Sequence, residues 1–443
     1  MRIAIVGTGI SGLVCAYRLH RQHELTLFEA ADYVGGHTNT VCVDVAGKRH
    51  TVDTGFIVHN DWTYPEFCRL LSELNVVTRP TTMGFSVRDD ATGIEYCGSS
   101  LNALFAQRRN LLRPRFYRLI ADILRFNRNA IDQCAECSRT TTVAEFLDRF
   151  GYGPGFVRHY LLPMGAAIWS CPTGTFAQFP IGFIIDFYRN HGLLSLSHRP
   201  TWRVIEGGSR TYIEKLTAGF RDRIRLRSPV RAVARQTDQV MIRTDRIAET
   251  FDHVIFACHS DQALQILGND AAPIERQILS QFPYSRNFAV LHTDDRVLPT
   301  SRRAWASWNY RIDDRRTDAA TVTYNMNILQ GLQSRKTICV TLNEEAAIDP
   351  RQILGRYEYD HPIFTAHREA AQARHAELID VNRTSYCGAY WRNGFHEDGV
   401  VSAMAVVNKL QQNRSIQAID FQWRDASSPG AADAAFSASG VAR

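Results

Sequence analysis

The chain has 443 residues, of which 45% are hydrophobic and 22% charged. This length and apolar content predict a globular enzyme with two or more cooperating domains and a large buried core, while no apolar run is long enough to span a membrane. The formal net charge is only +6, and the arginines are dispersed without a known nucleic-acid-binding module, so we predict no nucleic-acid partner.

The first predicted elements are a buried strand, a glycine-rich turn and a helix. The strand formed by residues 3–6 leads into Gly7-Thr8-Gly9-Ile10-Ser11-Gly12, and residues 13–19 are compatible with a helix. In this G-x-G-x-x-G pattern the first glycine permits a tight turn, the second lets the backbone approach a diphosphate, and the third allows close helix–strand packing. Glu29 ends the next apolar run, where its carboxylate is predicted to accept a hydrogen bond from a ribose hydroxyl.

A second glycine pair, Gly35 and Gly36, follows directly and precedes His37. Adjacent glycines at this place let another loop lie close to the cofactor, as expected when the ligand is long and extended, like FAD. Near the other end of the chain, Gly388 and then residues 394–403 have the pattern of a strand, a glycine loop and a helix start. Both ends therefore indicate one FAD-binding domain.

These motifs resemble those of FAD-dependent oxidoreductases of the amine oxidase and phytoene desaturase superfamily. Within that superfamily the chain is most similar to a bacterial NAD/FAD-binding flavoprotein family that also resembles the N-terminal region of plant cyclopropane fatty acid synthases. The segments that carry this likeness are residues 52–58, 105–111, 162–169, 304–310 and 394–399. The resemblance implies an α/β fold in which a Rossmann-like FAD-binding domain carries an inserted α+β substrate domain, as in amine oxidases.

The resemblance also implies a role for each matching residue. The diphosphate would be bound by Gly7, Gly9, Ser11, Gly12, Gly35, Gly36 and His37, the adenosine ribose by Glu29, the adenine by the backbone of Val230, and the flavin by Thr54, Gly55, Gly388, Asp398 and Gly399. The last two begin a helix, whose N-terminus would stabilise negative charge near N1 of the reduced flavin.

The chain departs from many amine oxidases, which place a lysine near flavin N5. It contains only four lysines, and none lies in a matching motif: Lys48, Lys215, Lys336 and Lys409. No such lysine is therefore assigned, which weakens an amine oxidase interpretation.

His396, Tyr390 and Trp391 are the candidate catalytic residues, because they lie in the segment that the resemblance places at the flavin. A structural role is the alternative for His396, since a single histidine needs a partner for acid–base chemistry. His59 and Asp61 are weaker candidates.

A group of aromatic residues is predicted to form an apolar substrate pocket or, alternatively, to pack as ordinary core: Trp169, Phe179, Phe183, Phe187, Trp305, Trp308, Tyr310 and Tyr324. No metal site is predicted, because the ten cysteines form no ligand pattern.

The predicted domains are discontinuous. The FAD-binding domain takes residues 1–80, 200–270 and 375–425, and the substrate domain takes residues 81–199 and 271–374. Small residues without periodicity predict a disordered tail over residues 426–443.

Residues 115–128 predict an amphipathic helix. Its apolar arc contains Phe116, Leu119, Ile120, Ile123 and Leu124, and its opposite face contains Arg115, Arg118, Arg125 and Arg128. This helix either packs its apolar face on the core or attaches to anionic lipid. Met1 and Arg2 lead directly into the first strand without a signal peptide, so we expect a cytoplasmic protein, with peripheral contact at the inner membrane face as the second alternative.

Three functions stay open from the sequence. In the first, the flavin takes a hydride from an apolar or lipid substrate and thereby desaturates or isomerises a modified acyl chain. This substrate is implied only by the resemblance. The second is amine oxidation. The third is a flavoprotein partner that supports a lipid methyltransferase without turnover of its own.

Overall fold

The computed structural model describes residues 1–197, 199–315, 320–365 and 367–426, with side chains described as far as Gln412. Apart from Ala426, which ends a helix, the predicted disordered tail lies outside the described residues. Among the helices of these ranges, none is long and apolar enough to cross a membrane.

The strands follow one another along the chain in short segments. They are β1 (Arg2–Val6), β2 (Glu24–Phe28), β3 (Thr40–Val45), β4 (Lys48–Asp53), β5 (Val58–Asn60), β6 (Thr78–Pro80), β7 (Phe85–Asp89), β8 (Ile94–Cys97), β9 (Trp202–Ile205), β10 (Ile224–Arg225), β11 (Val230–Arg235), β12 (Val240–Thr244), β13 (Ala248–Phe251), β14 (His253–Phe256), β15 (Tyr284–His292), β16 (Trp308–Ile312), β17 (Val322–Asn325), β18 (Cys339–Leu342), β19 (Ile353–Pro362) and β20 (Thr384–Tyr386).

The α-helices are concentrated between β8 and β9 and at the two ends of the chain. They are α1 (Ile10–Leu19), α2 (Pro65–Glu73), α3 (Leu101–Leu104), α4 (Pro114–Ala135), α5 (Val143–Arg149), α6 (Pro154–Phe156), α7 (Leu162–Trp169), α8 (Thr173–Ala177), α9 (Ile181–Asn190), α10 (Arg210–Thr217), α11 (Ser260–Leu267), α12 (Pro273–Leu279), α13 (Met326–Leu329), α14 (Arg368–Ala373) and α15 (His396–Ala426).

A five-stranded parallel sheet forms the nucleotide-binding side of the molecule, in the order β10-β2-β1-β14-β20. Its central strands are buried on both faces, as their continuous apolar sequences predict. Helices α1 and α15 pack together on one face. The strands come from all three stretches predicted for the FAD-binding domain, because a parallel sheet must be completed through long crossover connections.

A seven-stranded sheet forms the other side, in the order β19-β15-β18-β17-β16-β7-β8. All of its pairs are antiparallel except β16 with β7. Its strands come from the two stretches predicted for the substrate domain, and helices α4 to α9 form a separate aromatic core beside it. The molecule therefore has the expected α/β fold, with a Rossmann-like domain and an inserted substrate domain. The exact domain boundaries stay a prediction.

Helix α4 packs its main apolar face on the protein. Phe116, Leu119 and Phe126 are buried in the core that α4 shares with α5 to α9. That face is therefore not available for lipid, and of the two sequence alternatives the packing of this face on the core is the one observed. Leu124 is exposed, contrary to its predicted place on the buried arc, because it lies at the edge of that arc.

Candidate functional site

The first glycine turn connects β1 to α1 with little room for side chains. Gly7 has φ +102°, and a Cβ there would lie 2.9 Å from the carbonyl oxygen of Ala257, just beyond β14. A Cβ on Gly12 would lie 2.1 Å from the carbonyl oxygen of Gly7. At Gly9, in contrast, a Cβ would have no heavy atom within 4 Å. The turn is thus closed on its protein side and open at Gly9, as close approach of a ligand to the backbone requires.

Glu29 follows β2 and holds this turn. Its Oε2 accepts hydrogen bonds from the Thr8 backbone N–H at 2.9 Å and from the Thr8 hydroxyl at 2.5 Å, while Oε1 accepts one from the Ala31 N–H at 2.9 Å. An ionised carboxylate has about four acceptor positions, so these three bonds leave capacity for a ribose hydroxyl.

The second glycine pair lies directly against the first turn. A Cβ on Gly36, which has φ +58°, would lie 3.1 Å from Cα of Gly9. The Tyr33 hydroxyl donates to the carbonyl of Gly36 at 3.0 Å and fixes the loop. The structure therefore brings together two motifs that are about 27 residues apart in the sequence, with glycine on both sides of the contact.

The N-terminus of α15 meets the N-terminus of α1 at the same place. A Cβ on Gly399 would lie 2.6 Å from Cγ2 of Ile10 and 2.9 Å from Oγ of Ser11. Asp398 accepts a hydrogen bond from the Phe395 N–H at 2.8 Å, and burial raises its pKa to about 6. Two helix N-termini side by side contribute partial positive charge, which favours an anionic ligand such as a diphosphate.

Thr54 and Gly55 pack on the loop that contains His37. The Thr54 N–H donates to the carbonyl of Asn39 at 2.9 Å, and a Cβ on Gly55 would lie 2.2 Å from the carbonyl oxygen of His37. The hydroxyl of Tyr359, on β19, lies 2.8 Å from the Thr54 hydroxyl and accepts from the Asn39 side chain at 3.2 Å. Tyr359 thus connects the substrate-side sheet to the predicted flavin segment, although no sequence pattern indicated it.

Three histidines meet beside this segment. The ring of His37 lies 5.4 Å from that of His361, 6.2 Å from that of His259 and 5.1 Å from that of Tyr359. Burial and the neighbouring imidazoles lower the pKa of His37 well below its usual value, and burial lowers that of His361 to about 4. The rings are therefore neutral at pH 7. In the described residues no group of three or more His, Cys, Asp or Glu side chains could hold a metal ion.

His396, the first residue of α15, is buried against residues from the other two stretches of the FAD-binding domain. Its ring stacks on Phe56 at 3.5 Å, and its Nε2 lies 2.9 Å from the Thr38 hydroxyl and 3.0 Å from the Tyr212 hydroxyl. Burial lowers the pKa of His396 to about 3. Because a base with this pKa accepts a proton poorly at neutral pH, the surroundings favour a positioning role over general base catalysis.

The lowered pKa of His396 makes the stability of the protein depend on pH. The folded imidazole stays neutral down to about pH 3, whereas the unfolded one binds a proton below about 6.5, so its contribution to the free energy of unfolding falls as the pH falls through that window. At pH 5 this residue costs about 2 kcal/mol relative to pH 7. We expect the destabilisation caused by His396→Asn to shrink by this amount between pH 7 and pH 5 in urea titrations.

The matched control for this experiment is His367→Asn, at an exposed histidine. Its effect on the free energy of unfolding should be small and equal at both pH values. A destabilisation by His396→Asn that stays constant from pH 7 to pH 5 would contradict the buried neutral imidazole.

The structure separates the other candidate catalytic residues from His396. Tyr390 and Trp391 pack in a different apolar cluster, where both rings contact Phe282 and Trp391 also stacks on His375 at 4.1 Å. They follow Gly388, whose N–H donates to the Ser402 hydroxyl of α15 at 2.9 Å. Tyr390 and Trp391 therefore have the contacts of core residues. A catalytic role for them stays a prediction.

Three other candidates, Val230, His59 and Asp61, have contacts within the protein that are typical of structural residues. Val230 begins β11 and is buried in the cluster that contains Val6 and Phe28, near the ends of β1 and β2. His59 is buried against Tyr64 and Phe67, and burial lowers its pKa to about 4. Asp61 accepts a hydrogen bond from the Thr201 N–H at 3.0 Å and so joins β5 to the segment before β9.

Asp53 is a buried acidic residue to which the sequence reasoning assigned no role. It ends β4, directly before Thr54, and accepts hydrogen bonds from the N–H and hydroxyl of Ser209, from the Thr40 hydroxyl and from the Gln330 side chain. Burial raises its pKa to about 6 despite these donors. The only sequence signal was its place in the family-like segment 52–58.

Most of the predicted aromatic residues belong to two buried clusters, which we call the helix-side wall and the sheet-side wall. The helix-side wall joins Trp169 to Phe179, Phe183, Phe187 and Phe364, and it reaches Phe395 beside His396. The sheet-side wall contains Trp308, Tyr310 and Tyr324 and includes Tyr359. Trp305 lies apart, with its indole N–H bonded to the carbonyl of Pro299. Both walls therefore end at residues that contact the predicted flavin segments.

A family model described as flavin containing amine oxidoreductase matches residues 10–301 of the chain. Among curated proteins, no significant sequence relative is found.

Solved structures with the same fold include several flavin-family enzymes. A cyclohexylamine oxidase from Brevibacterium oxydans is 17% identical with a TM-score of 0.63, over 93% of this chain and 99% of that one. A CLA-producing fatty acid isomerase from P. acnes is 14% identical with a TM-score of 0.63, over 92% and 98%. A putrescine oxidase bound to putrescine is 15% identical with a TM-score of 0.62, over 93% and 99%. At these identities the likeness concerns the fold.

The residues of this site fit FAD, the cofactor of this family. The open backbone at Gly9 and the close approach of Gly36 form a cradle that a side chain would fill. The paired helix N-termini provide favourable charge for the diphosphate and for the flavin pyrimidine, and Glu29 keeps free acceptor positions for the ribose. When bound, the flavin accepts a hydride at N5, and the protein supplies orientation and exclusion of water.

Proposed function

Because the chain belongs to the family of flavin-containing amine oxidoreductases and is an FAD-dependent oxidoreductase, we propose that it acts on the acyl chain of a lipid, which it desaturates or isomerises. In this proposal the flavin performs the same kind of redox chemistry as in other members of the family, but the substrate is a lipid acyl chain and not an amine. The observation that carries it is the location of the four lysines.

All four lysines of the chain have exposed side chains: Lys48, Lys215, Lys336 and Lys409. The amino group of Lys48 donates to the carbonyl of Gln333 and that of Lys215 bonds the carbonyl of Asn75, both at the surface. None of them can therefore serve a buried flavin as the N5 lysine found in many amine oxidases. The chain therefore lacks the lysine that many amine oxidases place near flavin N5, which disfavours amine oxidation.

The walls of the proposed pocket favour an uncharged substrate. The aromatic groups of both walls are apolar, and the nearby imidazoles of His37, His361 and His396 are neutral at pH 7 because burial lowers their pKa values. A protonated amine would lose its hydration among these aromatic and imidazole rings, which carry no negative charge. An acyl chain meets no such penalty, and a fatty acid isomerase with this fold supports the same substrate class.

The two reactions differ in the fate of the electrons. In an isomerisation a C–H bond gives a hydride and a hydride is later returned to a different carbon, so the lipid undergoes no net oxidation. In a desaturation one carbon loses a hydride and its neighbour loses a proton, and an acceptor such as oxygen or a quinone must then take the two electrons. In both cases the protein must hold the reacting carbon near N5 and keep water out.

The test is anaerobic bleaching of the flavin absorbance of the purified holoenzyme. We expect bleaching by a membrane-lipid extract that contains methylated or cyclopropanated acyl chains, and no bleaching by a panel of primary and secondary amines. Mass spectrometry of the lipid should show either loss of two hydrogens or a moved double bond at unchanged mass. An isomerisation can leave the oxidised flavin as the main form, so the lipid product is measured in both outcomes.

Bleaching by amines alone would replace this proposal with amine oxidation. If neither substrate class is converted, the remaining hypothesis is a flavoprotein that supports a lipid methyltransferase. That hypothesis requires a stable complex, and it requires the methyltransferase to keep its activity when this protein contains an unreactive flavin analogue.

A further inference from the structure

An exposed apolar stripe runs along the outer side of the segment from α3 to α4. Its most exposed members are Leu112, which is 88% exposed, and Leu101, which is 76% exposed. It continues along α4 through Tyr117, Leu124 and Ile131, which are spaced by seven residues and so lie on one line of the helix over about 20 Å. We call the stripe, together with Leu111, the α3–α4 surface.

This surface is held rigidly from inside. Phe105 packs between Phe116 and Tyr117 at ring distances of 5.6 and 6.0 Å, and the Tyr117 hydroxyl donates to the carbonyl of Leu111 at 3.0 Å. Asn110 is fully buried in the same turn. The leucines therefore project outward from an ordered turn, so they lose little conformational entropy when they are covered.

Arginine is the predominant charged residue around the N-terminal half of this surface, and the exposed Asp132 lies beside Ile131 at its other end. Between Glu95 and Asp122 the sequence contains no acidic residue, whereas it contains the five arginines Arg108, Arg109, Arg113, Arg115 and Arg118. Four of the five are exposed, with Arg113 partly buried. In the described part of the chain, their hydrogen bonds go to neutral groups such as the Phe105 carbonyl and the Asn102 and Asn110 side chains. Arg108 and Arg109 line a cavity with Asp90 and Glu95, but among the described residues none of the five arginines forms an ion pair with a carboxylate.

We infer that the α3–α4 surface docks the enzyme on a membrane that contains anionic phospholipid. Leucine and tyrosine side chains would enter the interface between headgroups and acyl chains, and the arginines would contact the phosphates. A stripe parallel to a helix axis and bordered by cations is the arrangement of a helix that lies in the plane of a membrane. An acidic protein would match the arginines, but it would have to place apolar groups at the same spacing along 20 Å.

Vesicle co-sedimentation of the FAD-bound protein tests this inference. We expect binding to vesicles of phosphatidylcholine mixed with phosphatidylglycerol, weaker binding to phosphatidylcholine alone, and further weakening as salt is added. Leu111→Ser combined with Leu112→Ser should lower the partition coefficient about tenfold or more, because two exposed leucines no longer enter the interface. Arg108→Gln combined with Arg109→Gln should lower it about tenfold and reduce the salt dependence.

Matched control variants remove the same types of side chain at positions outside the α3–α4 surface. Val77→Ser with Leu226→Ser removes two other exposed apolar side chains, and Arg243→Gln with Arg246→Gln removes two other exposed arginines. These variants should bind vesicles like the unaltered protein, and equal flavin absorbance per chain shows that each variant is folded.

The inference is overturned if the unaltered protein does not bind the anionic vesicles, or if the control variants lose as much binding as the α3–α4 variants. The unaltered protein could instead associate with itself and fail to bind vesicles. If the combined variant Leu111→Ser with Leu112→Ser abolishes that self-association, the surface is an interface between copies of the chain. Vesicle binding does not depend on turnover. If the protein binds vesicles but converts no lipid, membrane docking is supported and the proposed lipid-directed reaction is refuted.

Discussion

Replacing Gly36 with valine is expected to produce a folded protein that contains little FAD. The glycine has φ +58°, and a Cβ there would already lie 3.1 Å from Cα of Gly9, the open position of the first glycine turn. The two methyl groups of valine would occupy the space in which the diphosphate approaches Gly9. We expect flavin per chain, measured from visible absorbance after purification, to fall about tenfold or more, which corresponds to about 1.4 kcal/mol of binding.

Gly47→Val separates this effect from backbone strain. Gly47 also has positive φ, at +77°, but a Cβ there has no neighbour within 4 Å. Both variants impose a left-handed conformation on a β-branched residue, which costs about 1–2 kcal/mol in the folded state. If the Gly36 and Gly47 variants carry the same amount of flavin, the second glycine pair does not lie at the cofactor.

The sequence predicted the cofactor side of the site because its requirements are local. A turn that excludes Cβ atoms must contain glycine at fixed positions, so Gly7, Gly9, Gly12 and Gly36 could be recognised without a structure. The parallel sheet followed from apolar strands that carry these motifs. The partner of Gly36, however, became visible only when the two loops were seen to touch.

The substrate side depends on contacts between distant residues. Tyr359 reaches Thr54 across 305 positions, and His361 reaches His37 across 324. Nothing in β19 distinguishes these residues from others that alternate along an antiparallel strand, so no local pattern could have identified them. Tyr390 and Trp391 show the reverse, because closeness in sequence to His396 did not place them in its cluster.

Helix α4 shows a limit of periodicity. The 3.6-residue pattern identified its buried face, on which Phe116 and Leu119 lie. It assigned Leu124 to that face, although Leu124 lies at its edge and is exposed. It also did not show that Leu124 forms a second apolar line on the outer side with Tyr117 and Ile131, because single hydrophobic residues outside the main arc are common on protein surfaces.

Replacing Asp53 with alanine is expected to cause the largest loss of stability of any single change near the site. Its carboxyl group accepts from the Ser209 N–H at 2.9 Å, the Ser209 hydroxyl at 2.8 Å and the Gln330 side chain at 2.7 Å, and all of these groups are buried. Alanine leaves them without an acceptor, at a cost of about 1–3 kcal/mol for each group that finds no new partner. We expect the Tm measured by circular dichroism to fall by about 3–10 °C.

Asp53→Asn decides whether the lost acceptor or the lost charge causes this effect. Asparagine keeps one carbonyl oxygen for Ser209 and Thr40, and since burial raises the pKa of Asp53 to about 6, loss of the negative charge costs the folded protein less than it would at an exposed carboxylate. We expect Asp53→Asn to lower the Tm by less than half as much as Asp53→Ala, and Asp44→Ala, at an exposed position of β3, to leave it unchanged. Because Asp53 joins the start of α10 to the end of β4, directly before Thr54, the alanine variant should also lose flavin. Full flavin content in that variant would show that the strand end keeps its geometry without the carboxyl group.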